Sequence, residues 1–202
     1  MLQNKCFNKE EHMPPKAKFS KDEVISAAVN IIEDKGIMFL TARSLGEALG
    51  TSARPIFTTF KNMEDVLNGV NDFANELYQN YVEEGLLQTP AFKGVGMSYI
   101  RFAKEHPKLF QLLFMQEKDD VPALNDVLGL IEGSYRKILD SITQSYKVSE
   151  DFAKQLYLHM WIYTHGIAVL IVNKMCRFSD EEISNMLTTV CKSLILNGVK
   201  ND

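Results

Sequence analysis

The segment TARSLGEALGTSARPIFTTFK, residues 41–61, reads as two short helices joined by a tight turn. Thr41 suits an N-cap, where its side-chain oxygen accepts an otherwise unpaired N–H of the first turn. Leu45, Ala48 and Leu49 form the buried side of the first of these helices, and Gly50 ends it. Thr51 or Ser52 caps the second, expected over residues 52–60. Pro55 falls in its first turn, where a missing N–H does least harm. Ile56 and Phe60 are four apart and point inward. This is the layout of a helix-turn-helix, whose second helix enters the DNA major groove.

Working outward, Ser20 with Glu23 three residues later is a capping box. Val24, Ile25, Ala28, Ile31 and Ile32 then form a helical apolar stripe that Lys35-Gly36 closes, so a helix is expected over 21–35. Asn62 caps a longer helix to about residue 84, with Val66, Val70, Phe73, Leu77 and Tyr81 as its stripe. Thr89-Pro90 opens a helix to about His106, and Pro107 restarts the chain as PKLFQLLFM. Pro122 opens one to Tyr146, with Leu124, Val127, Leu128, Ile131, Tyr135 and Ile138 on its apolar side. Ser149 caps a long helix to about Cys176, and the Ser179/Glu182 box opens the last. No segment alternates with period two, so the expected fold is all-α with about nine helices. Its expected parts are a flexible basic arm over 1–19, a DNA-binding unit over 20–66 and a ligand-binding and dimerisation unit over 67–202.

The 202 residues carry a net charge of −4, which by itself argues against nucleic acid. The distribution is uneven. Residues 1–61 hold nine Lys/Arg against seven Asp/Glu, and residues 62–202 hold thirteen against nineteen. No apolar run approaches the ~20 residues that span a bilayer, and no apolar signal segment opens the chain. Three cysteines without metal-like spacing suit reduced thiols, and the expected location is cytoplasmic, with no membrane partner. A phosphate loop, CxxC, HExxH and a nucleophile elbow are all missing. His159 and His165, six apart on a helix, diverge too far to share a metal. The expectation is a protein that is not an enzyme and uses no cofactor or metal.

Residues 41–67, TARSLGEALGTSARPIFTTFKNMEDVL, resemble the DNA-binding module of the TetR-type transcriptional repressors. The matching positions are Thr41, Leu45, Gly50, Ser52, Ile56, Phe57, Thr58, Thr59, Phe60, Lys61, Asn62 and Glu64. The helix SKDEVISAAVNIIEDKG precedes them at the family's offset. Phe57 replaces the usual Tyr, Thr59 stands where His is common, and Met63 replaces the usual Lys. The His106-Pro107-Lys108-Leu109-Phe110 corner and the Trp161…His165-Gly166 stretch resemble one large branch of the family.

The resemblance implies a homodimer on a palindromic double-stranded DNA operator, released by a small apolar or aromatic effector. Ala53, Arg54, Pro55, Thr58 and Thr59 are the candidates to face the groove. Arg54 alone among them can bond guanine bidentately, and a phosphate contact is its other reading. Thr41, Arg43, Ser52, Phe57 and Lys61 are expected to hold the DNA backbone. Lys16 and Lys18 either touch DNA or only solubilise the arm. Phe102, Phe114, Trp161 and His165 are the effector-pocket candidates, with His165 also open to a core or dimer role. Gly166 and Ala168 would let two copies approach closely. The rival reading is a helical ligand-binding or adaptor protein of the same fold that does not bind DNA.

Overall fold

Ser20 and Glu23 form the expected capping box, with the Glu23 carboxylate accepting the Ser20 N–H at 2.7 Å and Ser20 Oγ accepting the Glu23 N–H at 3.2 Å. They open α1, Lys21–Lys35, which buries Val24, Ala28, Val29 and Ile32. The structure, a computed structural model, describes residues 19–117 and 120–198. The basic arm up to residue 18, with Lys16 and Lys18, lies outside them, as do Cys6, His12 and Asp119. After Gly36 and a single 3-10 turn at Ile37–Phe39, α2 spans Ala42–Ala48. Leu45 is fully buried, whereas Ala48, expected inside, is exposed.

α3, Met63–Leu86, begins at the Asn62 cap and continues for 24 residues. Its buried positions are Val66, Val70, Ala74, Tyr78 and Val82. The expected stripe continued through Phe73, Leu77 and Tyr81, one residue earlier at each turn, and Phe73 is instead 40% exposed. A strict four-residue spacing drifts around a helix of 3.6 residues per turn. The buried face therefore winds around α3, because its packing moves from α1 to α4 along its length.

α4, Ala91–Glu105, lies along α3, and α5, Pro107–Phe114, starts on Pro107 as expected. The expected helix over 122–146 is two: α6, Val127–Ile131, and α7, Tyr135–Tyr146. Glu132 turns extended between them (φ −120°, ψ 103°) beside Gly133. From this break the buried Glu132 carboxylate reaches α3, where Tyr78 and Gln79 bond to it. Leu124, expected on the apolar side, is exposed in the non-helical stretch before α6.

α8, Glu150–Val172, ends four residues before the expected Cys176, and α9, Asp180–Gly198, begins at the Ser179/Glu182 box. By length and composition, α8 alone among the described residues could cross a bilayer, with a mean hydropathy of 1.2. It packs against α4, α7 and α9, and a helix apolar on more than one face is what a core helix looks like. Ala168 is buried within the chain itself, so it cannot serve the close approach of two copies, whereas Gly166 is exposed. The described residues thus form nine α-helices and two 3-10 turns, with the core running from α1 through α3 and α4 to α8 and α9.

Candidate functional site

Thr41 caps α2 reciprocally with Ser44. Thr41 Oγ1 accepts the Ser44 N–H at 3.1 Å, and Ser44 Oγ accepts the Thr41 N–H at 3.0 Å. Gly50 succeeds α2 with φ +64°, which suits glycine, and the Thr51 N–H bonds back to Gly46 O at 2.8 Å. A Cβ on Gly46 would meet backbone atoms of Thr51, Ser52 and Ala53 at about 3.0 Å, so a side chain there would push the turn away.

The helix expected over 52–60 is not α-helical. The chain makes 3-10 bonds, Ile56 N to Ala53 O, Phe57 N to Arg54 O and Thr58 N to Pro55 O, with Ile56–Thr58 as the only helical turn. Pro55 disfavours α geometry at Arg54, and three β-branched residues (Ile56, Thr58, Thr59) lower the helix propensity of the next turn. The apolar anchors hold nonetheless, with Ile56 fully buried and Phe60 5% exposed. Ser52, Arg54, Phe57, Thr58 and Lys61 project outward, and Ala53 and Pro55 are half-buried. The Thr58 hydroxyl donates to Pro55 O at 2.6 Å. Thr59 turns inward and donates to Phe19 O at 3.2 Å, which ties the turn to the start of α1. Arg43 pairs with Glu47 at 2.9 Å on the exposed face of α2.

A second site lies between α4, α8 and α9, a cavity of about 150 Å³. Phe92, Val95 and Tyr99 come from α4, Tyr157, Met160 and Trp161 from α8, and Leu187, Cys191 and Ile195 from α9. Tyr78 of α3 and Tyr146 of α7 complete the aromatic wall, and Lys93 and Lys192 supply its charges. Of the four pocket residues expected from sequence, Trp161 is in the wall. Phe102 is fully buried against Tyr78, Tyr81 and His106. Phe114 packs on Tyr78, Tyr99 and Phe110, and His165 stacks between Trp161 and Phe110. Those three stand behind the wall.

The polar groups around the cavity are tightly arranged. Tyr99 Oη and His165 Nδ1 are 2.9 Å apart, and burial holds the His165 imidazole below its ordinary pKa, favouring the neutral ring. The Trp161 indole N–H is buried without an acceptor in hydrogen-bond geometry; Tyr99 is its polar neighbour. Behind Tyr78 sits Glu132, 6% exposed, accepting from Tyr78 Oη at 2.6 Å, Gln79 Nε2 at 3.3 Å and the Ser134 N–H at 3.1 Å. Burial and the Glu132 charge raise the Tyr78, Tyr99 and Tyr157 pKa values well above the phenol range. The Cys191 thiol is pushed up by burial. Sequence reading missed Tyr78 and Glu132 because they are 54 residues apart and neither belongs to a local motif. A separate contact joins the two ends of the molecule: His106 Nδ1, at the start of α5, meets Glu33 Oε1 of α1 at 2.6 Å. No group of three His, Cys, Asp or Glu among the described residues could hold a metal.

Residues 92–194 match the family described as the tetracyclin repressor-like C-terminal domain. No curated protein matches the chain. Among solved structures, a protein of unknown function from Rhodococcus sp. RHA1 superposes with a TM-score of 0.68 at 17% identity, covering 94% of this chain and 98% of that one. A TetR-like transcriptional regulator from the same organism gives 0.61 at 11% identity, with 90% and 96% covered. The transcriptional regulator FadR from Bacillus subtilis, in complex with stearoyl-CoA, gives 0.54 at 15% identity, with 86% and 97% covered. At these identities the likeness is one of fold.

Proposed function

Because the chain belongs to the tetracyclin repressor-like family, we propose that it is a transcriptional regulator binding a palindromic operator as a homodimer and released by a small apolar or aromatic effector. The observation that carries this reading is α3. One uninterrupted helix begins beside the turn at 51–60 and puts Tyr78 into the cavity wall. An occupant that shifts Tyr78 thereby shifts the DNA-facing turn, and by linkage DNA weakens the occupant by the same factor.

In this reading Arg54, Ala53, Pro55 and Thr58 face the groove, while Thr41, Arg43, Ser52, Phe57 and Lys61 hold phosphates. Thr59 has a different role: its hydroxyl braces the turn against Phe19. The dimer forms through the outer faces of α8 and α9, where Ile162 is 46% and Leu196 65% exposed. Burying such apolar surface favours association.

The test is fluorescence anisotropy on genomic DNA fragments retained by the purified protein, at several salt concentrations. Lys61→Ala should weaken all fragments alike and flatten the salt slope by about one unit. Arg54→Ala should cost ~1–3 kcal/mol at particular base pairs. Equal loss on every operator variant removes the base-reading role, and no salt-dependent binding at all removes the regulator reading. The 3-10 turn in place of an α-helix at 56–58 favours a second reading, a ligand-binding protein of this fold without DNA binding, which the last outcome would select.

A further inference from the structure

We infer that the cavity between α4, α8 and α9 takes a single-ring aromatic carboxylate, with the ring inward and the acid group toward Lys93 and Lys192. This rests on the cavity being the effector site. Its volume of about 150 Å³ equals that of an apolar protein cavity that binds benzene. That size excludes fused polycycles and long acyl chains as fully enclosed occupants. The inner wall is aromatic, built by Phe92, Tyr99, Tyr157 and Trp161, and suits stacked or edge contacts with one more ring.

Charge chooses among single-ring molecules. The lining contains no Asp, Glu or His, and its two charged members are both lysines. Neither lysine forms an ion pair within the described residues. Lys192 is exposed and Lys93 half-buried, so the positive end is the solvent end. The Glu132 carboxylate lies beyond Tyr78, outside the lining, with its oxygens filled by Tyr78, Gln79 and Ser134. It is therefore not free to receive an ammonium group, and its charge repels an acid from the inner end. The two ends together orient the ligand with its carboxylate outward.

Benzoate, benzylamine and toluene share size and differ in charge. Each is titrated into the full-length protein near neutral pH by calorimetry and by fluorescence of Trp161, the chain's only tryptophan. Benzoate should bind about tenfold tighter than either of the others, ~1.4 kcal/mol. Lys93→Gln with Lys192→Gln should bring benzoate down to the toluene level while circular dichroism shows the fold retained. If benzylamine or toluene binds as tightly as benzoate, or the double variant keeps the preference, the charge assignment is wrong and the effector-site reading stands. If none of the three binds, the cavity is not an effector site and the inference falls with that reading.

Discussion

Gly94→Ala tests the crossing on which both sites depend. Gly85 of α3 and Gly94 of α4 face each other where these helices meet. A Cβ on Gly94 would fall inside the van der Waals shell of the Gly85 carbonyl oxygen and lie 2.6 Å from Gln88 Cβ. From the other side, a Cβ on Gly85 would lie 2.8 Å from Gly94 C and O. Ordinary carbon–oxygen contacts begin near ~3.3 Å. The obstacle is backbone, so no rotamer change relieves it, and the helices must part. A gap of roughly 1 Å already forfeits up to about half the dispersion energy of the atoms it separates. Overpacking of this kind costs about 1–3 kcal/mol and occasionally more. Alanine returns up to ~1 kcal/mol of helix propensity. Since the clash lies at the severe end, the expected net loss is ~2 kcal/mol. For a chain of this size that lowers Tm by about 4–8 °C, followed by circular dichroism. Gly85→Ala, with less overlap, should fall between Gly94→Ala and wild type. A Gly94→Ala protein melting at or above wild type would refute the close crossing and the packing of α3 on α4.

Tyr78→Phe removes the donor that Glu132 accepts at 2.6 Å and should cost ~1–3 kcal/mol in urea unfolding; an unchanged midpoint would mean the carboxylate does not rely on Tyr78. The His165 ring is held below its ordinary pKa of 6.5, so above that pH it is neutral in folded and unfolded chains alike. On acidification the unfolded chain protonates first, so stability should fall from about pH 6.5 downward, and His165→Gln should flatten that part of the profile. A wild-type minus variant difference that stays level or rises on acidification contradicts this burial. Glu33→Gln weakens the 2.6 Å contact to His106. Amide exchange in α1 should then rise about fivefold, for ~1 kcal/mol, with α9 unchanged; equal effects in both helices would show a global loss instead.

What the chain reveals on its own is what is local. The Ser20/Glu23 and Ser179/Glu182 boxes each occupy four residues, and both helices begin where those boxes place them. Pro107 does the same for α5. The failures share a different character. Ile56 lies in the 3-10 turn and Phe60 just past it, its N–H bonded to Ile56 O at 3.0 Å, so the pattern found the anchors and missed the backbone between them. Phe73 outranks Ala74 in hydrophobicity, yet the narrow space on α3 takes the alanine. Glu132 reads as a surface charge until Tyr78 arrives from another helix. The cavity is similar: its tyrosines come from α3, α4, α7 and α8, and Trp161 was legible only because an aromatic pair on one helix draws attention.

Among the described residues α3 runs from the 51–60 turn to the cavity wall, and α1 also packs against α5, so the joints differ in kind. Along α3, the fifteen residue steps from Met63 to Tyr78 span ~22 Å of continuous helix. At the α4–α5 corner, His106 holds α1 through one polar contact with Glu33. A helix transmits displacement because its hydrogen bonds resist bending, whereas a single side-chain contact can break without moving either partner far. An occupant pressing on Tyr78 also meets Glu132, whose buried bond to the Tyr78 hydroxyl resists letting the ring swing alone. The least costly response is for α3 to move as a body, carrying Val66 and Val70, which pack it against α1. The packing of α1 on α5, which includes the Glu33–His106 contact, then limits how far α1 can move with it. On that view Glu132 acts as the stop that turns local crowding in the cavity into motion of a whole helix.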